Sequence, residues 1–190
     1  NMMKKSAYRS IEKGSGKQHC YYAYVSFNYN SNVGFHLNAG TRLNIHSEYN
    51  QNVVFNVNPS YNFRFLDSDA KIFASYSTAF VTQTLSEIFT KLPSIDALLP
   101  EEDVTIEGGF ELLFSKKLVL NATYFHREET NKIGYDPISY QTMNDFGTFS
   151  AKGVETEITL KASDKMQLYA NYTFIDRDES LLLNFPQNIF

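Results

Sequence analysis

The 190-residue sequence has no tryptophan, a single cysteine (Cys20) and no long apolar run. One thiol cannot build an internal disulfide framework or a cysteine-rich metal site. The longest apolar clusters, Tyr21 to Val25 and Leu181 to Leu183, fall far short of the about 18 residues that a membrane-crossing helix needs. Positive charge is scarce too: the net charge is −4. Lys4, Lys5 and Arg9 form a small N-terminal cluster, but no basic stripe exists to neutralise phosphates, and no nucleic-acid partner is expected. Neither G-x-S-x-G nor H-E-x-x-H occurs, and no Ser/His/Asp spacing selects a triad. Gly14-Ser15-Gly16-Lys17 lacks the upstream glycine and the following Ser/Thr of a phosphate-binding loop. The chain is therefore not expected to be an enzyme, and no cofactor is expected.

What is present is alternation. From Val33 to Ser47, residues Val33, Phe35, Leu37, Ala39, Leu43 and Ile45 take one parity, and His36, Asn38, Arg42, Asn44 and His46 take the other. From Val53 to Phe65 the pattern repeats, with Val53, Phe55, Val57, Tyr61, Phe63 and Phe65 opposite Asn56, Asn58, Ser60, Asn62 and Arg64. These runs are about twice the usual globular strand of about 5–6 residues. They fit a membrane-crossing strand of about 9–11 residues whose faces alternate between lipid and lumen. Further strands carry one apolar parity each: Ala70 to Phe80, Val104 to Phe114, Leu118 to Tyr124, Val154 to Ala162 and Met166 to Phe174. With a weaker strand over Tyr21 to Tyr29, the expected count is about eight. Hydrophobic residues make up only 43% of the chain, which suits a barrel because half of every strand is polar. Aromatics reach 15%, which suits strands and interfacial girdles.

Charges inside these strands fall mainly on the opposite parity: Arg42, Arg64, Lys71, Glu107, Glu111, Arg127, Glu155, Glu157, Lys161 and Arg177. A one-residue slip would exchange the faces, so register is strongly specified. The mixed signs allow cross-strand pairs such as Glu107 or Glu111 with Arg127, each worth about 0.2–1 kcal/mol; the other reading is that these charges contact a plug or line a wet pathway. Connections alternate in length. Asn30 to Asn32, Leu66 to Asp69, Ser115 to Lys117 and Ser163 to Lys165 are tight, while Glu48 to Asn52, Val81 to Asp103 and Thr130 to Gly147 take the other rim, the last two long. Short turns on one rim and longer loops on the other mark an antiparallel up-and-down transmembrane β-barrel. Pro59 removes a ladder donor, and a bulge or local irregularity is expected there.

Local motifs extend the reading. The run Tyr76 to Phe89 contains Thr84, Leu85, Glu87 and Phe89; Leu98, Pro100 and Glu101 follow, then Glu107, Gly109 and Phe110. Gly153-Val154-Glu155 and Tyr172 to Asp176 come later. In order and spacing these resemble the barrel strands of TonB-dependent outer-membrane receptors, most strongly over residues 32–178, although Gln83 stands where that family usually has proline. The resemblance implies part of a barrel of about twenty-two strands, here about eight, with residues 1–190 forming one partial barrel domain. It also implies location in the cell outer membrane, contact with outer-membrane lipid, and a plug domain of the same parent protein that is not seen in this sequence. The implied role is uptake of a scarce ligand: a ferric siderophore, a corrinoid or an oligosaccharide. No apolar h-region follows the basic start, so no signal peptide is expected and the chain reads as an internal piece. Two other readings stay open, a self-contained small outer-membrane barrel of structural or adhesion role and a soluble β-sandwich binding module.

Recognition is expected in the long loops, because variable loops on a rigid rim carry binding. Tyr135, Tyr140, Phe146 and Phe149 are the candidate ligand contacts. No metal site is expected. His36 and His46 share a strand face but lie ten residues apart, roughly 33 Å at about 3.3 Å per residue, too far to hold one ion. His126 beside Glu128 and Glu129 reads as a solvated rim.

Overall fold

The computed structural model describes residues 19–47, 50–66, 68–84, 87, 98–114, 117–136, 140–144 and 147–179. Ten strands occur among them: β1 (Cys20–Asn30), β2 (Phe35–His46), β3 (Asn50–Phe65), β4 (Ser68–Val81), β5 (Glu101–Phe114), β6 (Leu118–Thr130), β7 (Gly134–Asp136), β8 (Gln141–Met143), β9 (Phe149–Ser163) and β10 (Met166–Glu179). Eight of them form one antiparallel sheet in the order β1-β2-β3-β4-β5-β6-β9-β10, and β7 and β8 make a separate small hairpin. The expected eight long strands are thus present as a barrel segment. No second sheet packs on the first among the described residues, which removes the sandwich reading. Among the described residues the ladders do not join β10 to β1, so these eight strands do not close a barrel by themselves.

Following the ladders assigns every side chain to a face. Leu37, Leu43, Phe55, Phe110, Leu120, Leu160 and Leu168 all lie on one face. The charges named above, from Arg42 to Arg177, lie on the other. The polar face is the more shielded: along β3 Asn52, Asn56 and Asn58 are half-buried, whereas Val53, Phe55 and Val57 are exposed. This is the inside-out arrangement of a membrane barrel wall, and it explains why Leu98 and Pro100 are the only buried apolar side chains among the described residues. Phe80 departs from the apolar set. It is half-buried, with its ring centroid 6.0 Å from the Arg42 guanidinium. Just before it, the Thr78 hydroxyl accepts the Phe55 amide at 3.0 Å in place of a ladder carbonyl.

The apolar face also yields the strand tilt. On β1 it is still apolar at Tyr21, but on β10 it turns charged beyond Phe174, which shares a row with Tyr29. The boundary therefore descends about 8 residues over seven strand steps, about 26 Å against about 34 Å, a tilt of about 40° and within the range of closed barrels. On β5 the apolar residues run from Val104 to Phe114. At that tilt they cover about 25 Å, the height of an outer-membrane apolar band. Above the band the same face carries Glu102, Glu128, Lys152, Asp176 and Asp178, and Lys152 pairs with Asp176 at 3.5 Å.

Pro59 produces an interruption without a bulge. The β2–β3 ladder runs through it, while the β3–β4 ladder stops between Val57 and Ser60 and resumes in the same register. Across this gap Ser75 Oγ donates to Asn58 Oδ1 at 2.8 Å. The tight turns at 31–34, 66–67, 115–117 and 164–165 fall at one end of the sheet and the connections at 47–49, 82–100 and 131–148 at the other, as the loop lengths predict.

Candidate functional site

The polar face changes character across the sheet. On β1 to β3 it is an amide wall. Asn38 Nδ2 donates to Asn28 Oδ1 at 2.6 Å, while Asn56 and Asn58 each donate to Asn38 Oδ1 at 3.1 Å. In the adjoining row His36 contacts Asn30 Oδ1 at 2.7 Å and Asn62 Nδ2 at 3.0 Å. His36 thus joins the amide network of the polar face. On β4 to β10 the wall is charged. Lys71, Glu111, Glu155 and Glu157 surround a concavity of about 520 Å³, and Glu157 accepts from Tyr169 Oη at 3.0 Å.

At the long-loop end of this charged wall lies a second concavity of about 590 Å³, lined by Phe125, Arg127, Lys132, Phe149 and Arg177 among others. Its ionic groups alternate in sign. Glu101 meets Lys132 at 3.3 Å, Lys132 meets Glu129 at 2.6 Å, Glu129 meets Arg127 at 2.7 Å, and Arg127 also contacts Asp103. The hydrogen bond that it donates to Glu129, with Glu101 nearby, holds the Lys132 ammonium above the usual lysine range. Arg127 does not pair with Glu107 or Glu111. Thr105 stands opposite it, and the carboxylates nearer the rim are in reach while Glu111 is far down the strand. Lys132 Nζ lies 5.9 Å from the Phe149 ring centroid, a cation–π distance.

The four candidate contacts separate. Phe149 opens β9 on the polar face and belongs to this concavity. Tyr135 and Tyr140 sit on the β7–β8 hairpin with ring centroids 6.5 Å apart at 70° and are 52% and 73% exposed. These two rings are therefore available to solvent above the rim. Phe146 lies outside the described residues, as do most of the Val81 to Asp103 connection and Gly14 to Lys17.

Three features of the loop bases escaped the sequence reading. Thr84 and Glu87 form a capping box: the Thr84 amide donates to Glu87 Oε2 at 2.6 Å and the Glu87 amide to Thr84 Oγ1 at 3.3 Å. The T-x-x-E spacing was the available signal. Glu101 accepts the Ile133 amide at 2.9 Å. Asn144 accepts the Leu99 amide at 2.7 Å and donates to the Leu99 and Asn131 carbonyls at 2.8 Å each. No periodicity marks either residue.

Comparison with known proteins decides the family. The model of the family described as TonB dependent receptor-like, beta-barrel matches residues 7–189. The chain belongs to the TonB-dependent receptor β-barrel family. No curated protein matches it. Among solved structures, the siderophore receptor PirA from Pseudomonas aeruginosa superimposes with a TM-score of 0.72 at 23% identity, over 85% of this chain and 32% of that one. The ferric enterobactin receptor PfeA from the same organism, in a mutant form, gives 0.70 at 20% identity, over 84% of this chain and 27% of that one. The copper transporter OprC gives 0.65 at 16% identity, over 87% and 29%. At these identities the likeness is one of fold. The chain spans about a third of the length of these receptors, and it is a segment of such a barrel wall.

Proposed function

We propose that the protein carrying this chain sits in the outer membrane and takes up a ferric siderophore, with the long loops and the rim concavity as its contact surface. The observation that carries this reading is the grouping of Arg127, Lys132 and Arg177, with Glu129 between them, beside Phe125 and Phe149 at the long-loop end of the polar face. Guanidinium and ammonium groups suit an oxygen-rich chelate, and the rings suit its planar parts. The exposed Tyr135 and Tyr140 add a first contact above the rim. Siderophore receptors among the structural neighbours favour this ligand class over corrinoids and oligosaccharides. Lower on the same face, Glu107, Glu111, Glu155 and Glu157 would meet a plug domain supplied elsewhere in the protein, and an energising inner-membrane complex would drive release.

The test is a binding panel on the intact receptor in detergent: ferric catecholates, hydroxamates and carboxylates, a corrinoid, and neutral oligosaccharides. A ferric chelate should bind, and Arg127→Ala and Phe149→Ala should each weaken it about tenfold or more, the scale of a charge-assisted contact. Binding of the corrinoid or a sugar alone would refute the ligand class. Unchanged affinity in both variants would refute the site.

A further inference from the structure

The two long connections are tied together at their bases by one side chain. Asn144, just after β8, makes both of its bonds to Leu99 as a β-ladder residue would, accepting from N–H and donating to C=O at 2.7 and 2.8 Å. Its second N–H goes to the Asn131 carbonyl at 2.8 Å. Asn131 has a left-handed φ of 54°, and its chain reversal turns that carbonyl out of the β6 ladder toward Asn144. A single amide thus satisfies three backbone groups from two chain segments. Leu99 itself is 55% exposed, but the residues beside the tie are buried: Leu98 is 3% exposed and Thr142 4%, and Gln83, 8% exposed, donates to the Leu98 carbonyl. The Glu101 carboxylate repeats the tie from the other side by accepting the Ile133 amide.

We propose that Asn144 is a positioning residue that makes the connections 82–100 and 131–148 one recognition element, so that a ligand engaging either loop meets both. This rests on the reading of the loops as the contact surface. The joining itself is read without any ligand. Only asparagine meets all three groups: aspartate of the same shape keeps the acceptor for Leu99 N–H but turns two donors into acceptors facing carbonyls. Glutamine would place the amide one methylene too far out.

The test is amide hydrogen exchange on the intact receptor in detergent, read over 98–101, over 140–144, over β5 beyond Glu101 and over β6. Asn144→Asp should speed exchange in both loop segments about 3- to 10-fold, the worth of a typical hydrogen bond, and leave the strands unchanged. A cycle with Gln83→Ala separates coupling from local loosening. With Asn144 present, Gln83→Ala should speed exchange at 98–101 and also at 140–144. With Asn144→Ala, its effect should stay within 98–101. If Gln83→Ala never reaches 140–144 in the receptor that keeps Asn144, or if Asn144→Asp exchanges like the native chain, the proposal is wrong. Should Asn144→Asp fail to fold, the Gln83→Ala result with Asn144 present decides alone. Failure of every ligand in the binding panel would leave these exchange results standing, so the two ideas fail separately.

Discussion

Arginine placed along β5 should sense depth in the bilayer. The apolar face of this strand runs from Val104 to Phe114, with its centre near Phe110, whose side chain is 47% exposed on that face. With about 3.3 Å per residue and a tilt of about 40°, each residue changes depth by about 2.5 Å, so Val104 sits about 13 Å above the centre, at the edge of a band about 25 Å tall. Phe110→Arg should therefore cost about 2–4 kcal/mol and Val104→Arg about 0–1 kcal/mol. Glu111→Arg, one residue from Phe110 but on the polar face, should cost little in transfer energy because that face never meets hydrocarbon. Denaturant titration of the intact receptor refolding into vesicles, followed by its heat-modifiable gel shift, measures all three. Equal costs at Phe110 and Val104 would refute the depth assignment. Equal costs at Phe110 and Glu111 would refute the facial one.

Gly153→Ala should destabilise the sheet by about 1–3 kcal/mol, as overpacking does, because an added Cβ would stand 2.1 Å from the Phe174 carbonyl oxygen and 2.8 Å from the Phe125 ring. The same titration measures it, and a neutral result would mean that β9 and β10 do not approach so closely. For topology, single cysteines at Tyr140 and Asp164, after Cys20→Ser, should differ on whole cells: an impermeant thiol reagent should label Tyr140→Cys and spare Asp164→Cys. The reverse pattern would invert the orientation of every strand.

Strand existence and facing were legible because a period of two is a local property, written into Phe35 to Ile45 or Val53 to Phe65 without reference to any neighbour. Strand ends were less so. β6 continues past Tyr124 to Thr130, and β10 past Phe174 to Glu179. There both faces turn polar, at His126 and Glu128 or Asp176 and Asp178, and the alternation that marks a strand disappears while the backbone ladder goes on. The three-residue strands β7 and β8 are too short to carry a pattern at all.

The proposed contact surface is harder to read for a different reason. Facing alone allows Arg127 to meet Glu107 or Glu111, but which carboxylate it reaches depends on register, and register places Thr105 opposite it with Asp103 toward the rim. Phe149 joins Arg127 because the ladders bring the start of β9 beside the end of β6. A surface assembled from the ends of separate strands has no contiguous sequence and no period. It becomes visible only when the ladders are known. Asn144 is the limiting case. Its partners Leu99 and Asn131 are 45 and 13 residues away, and both offer only backbone atoms, which every residue has, so no choice of side chain at those positions could have announced the bond.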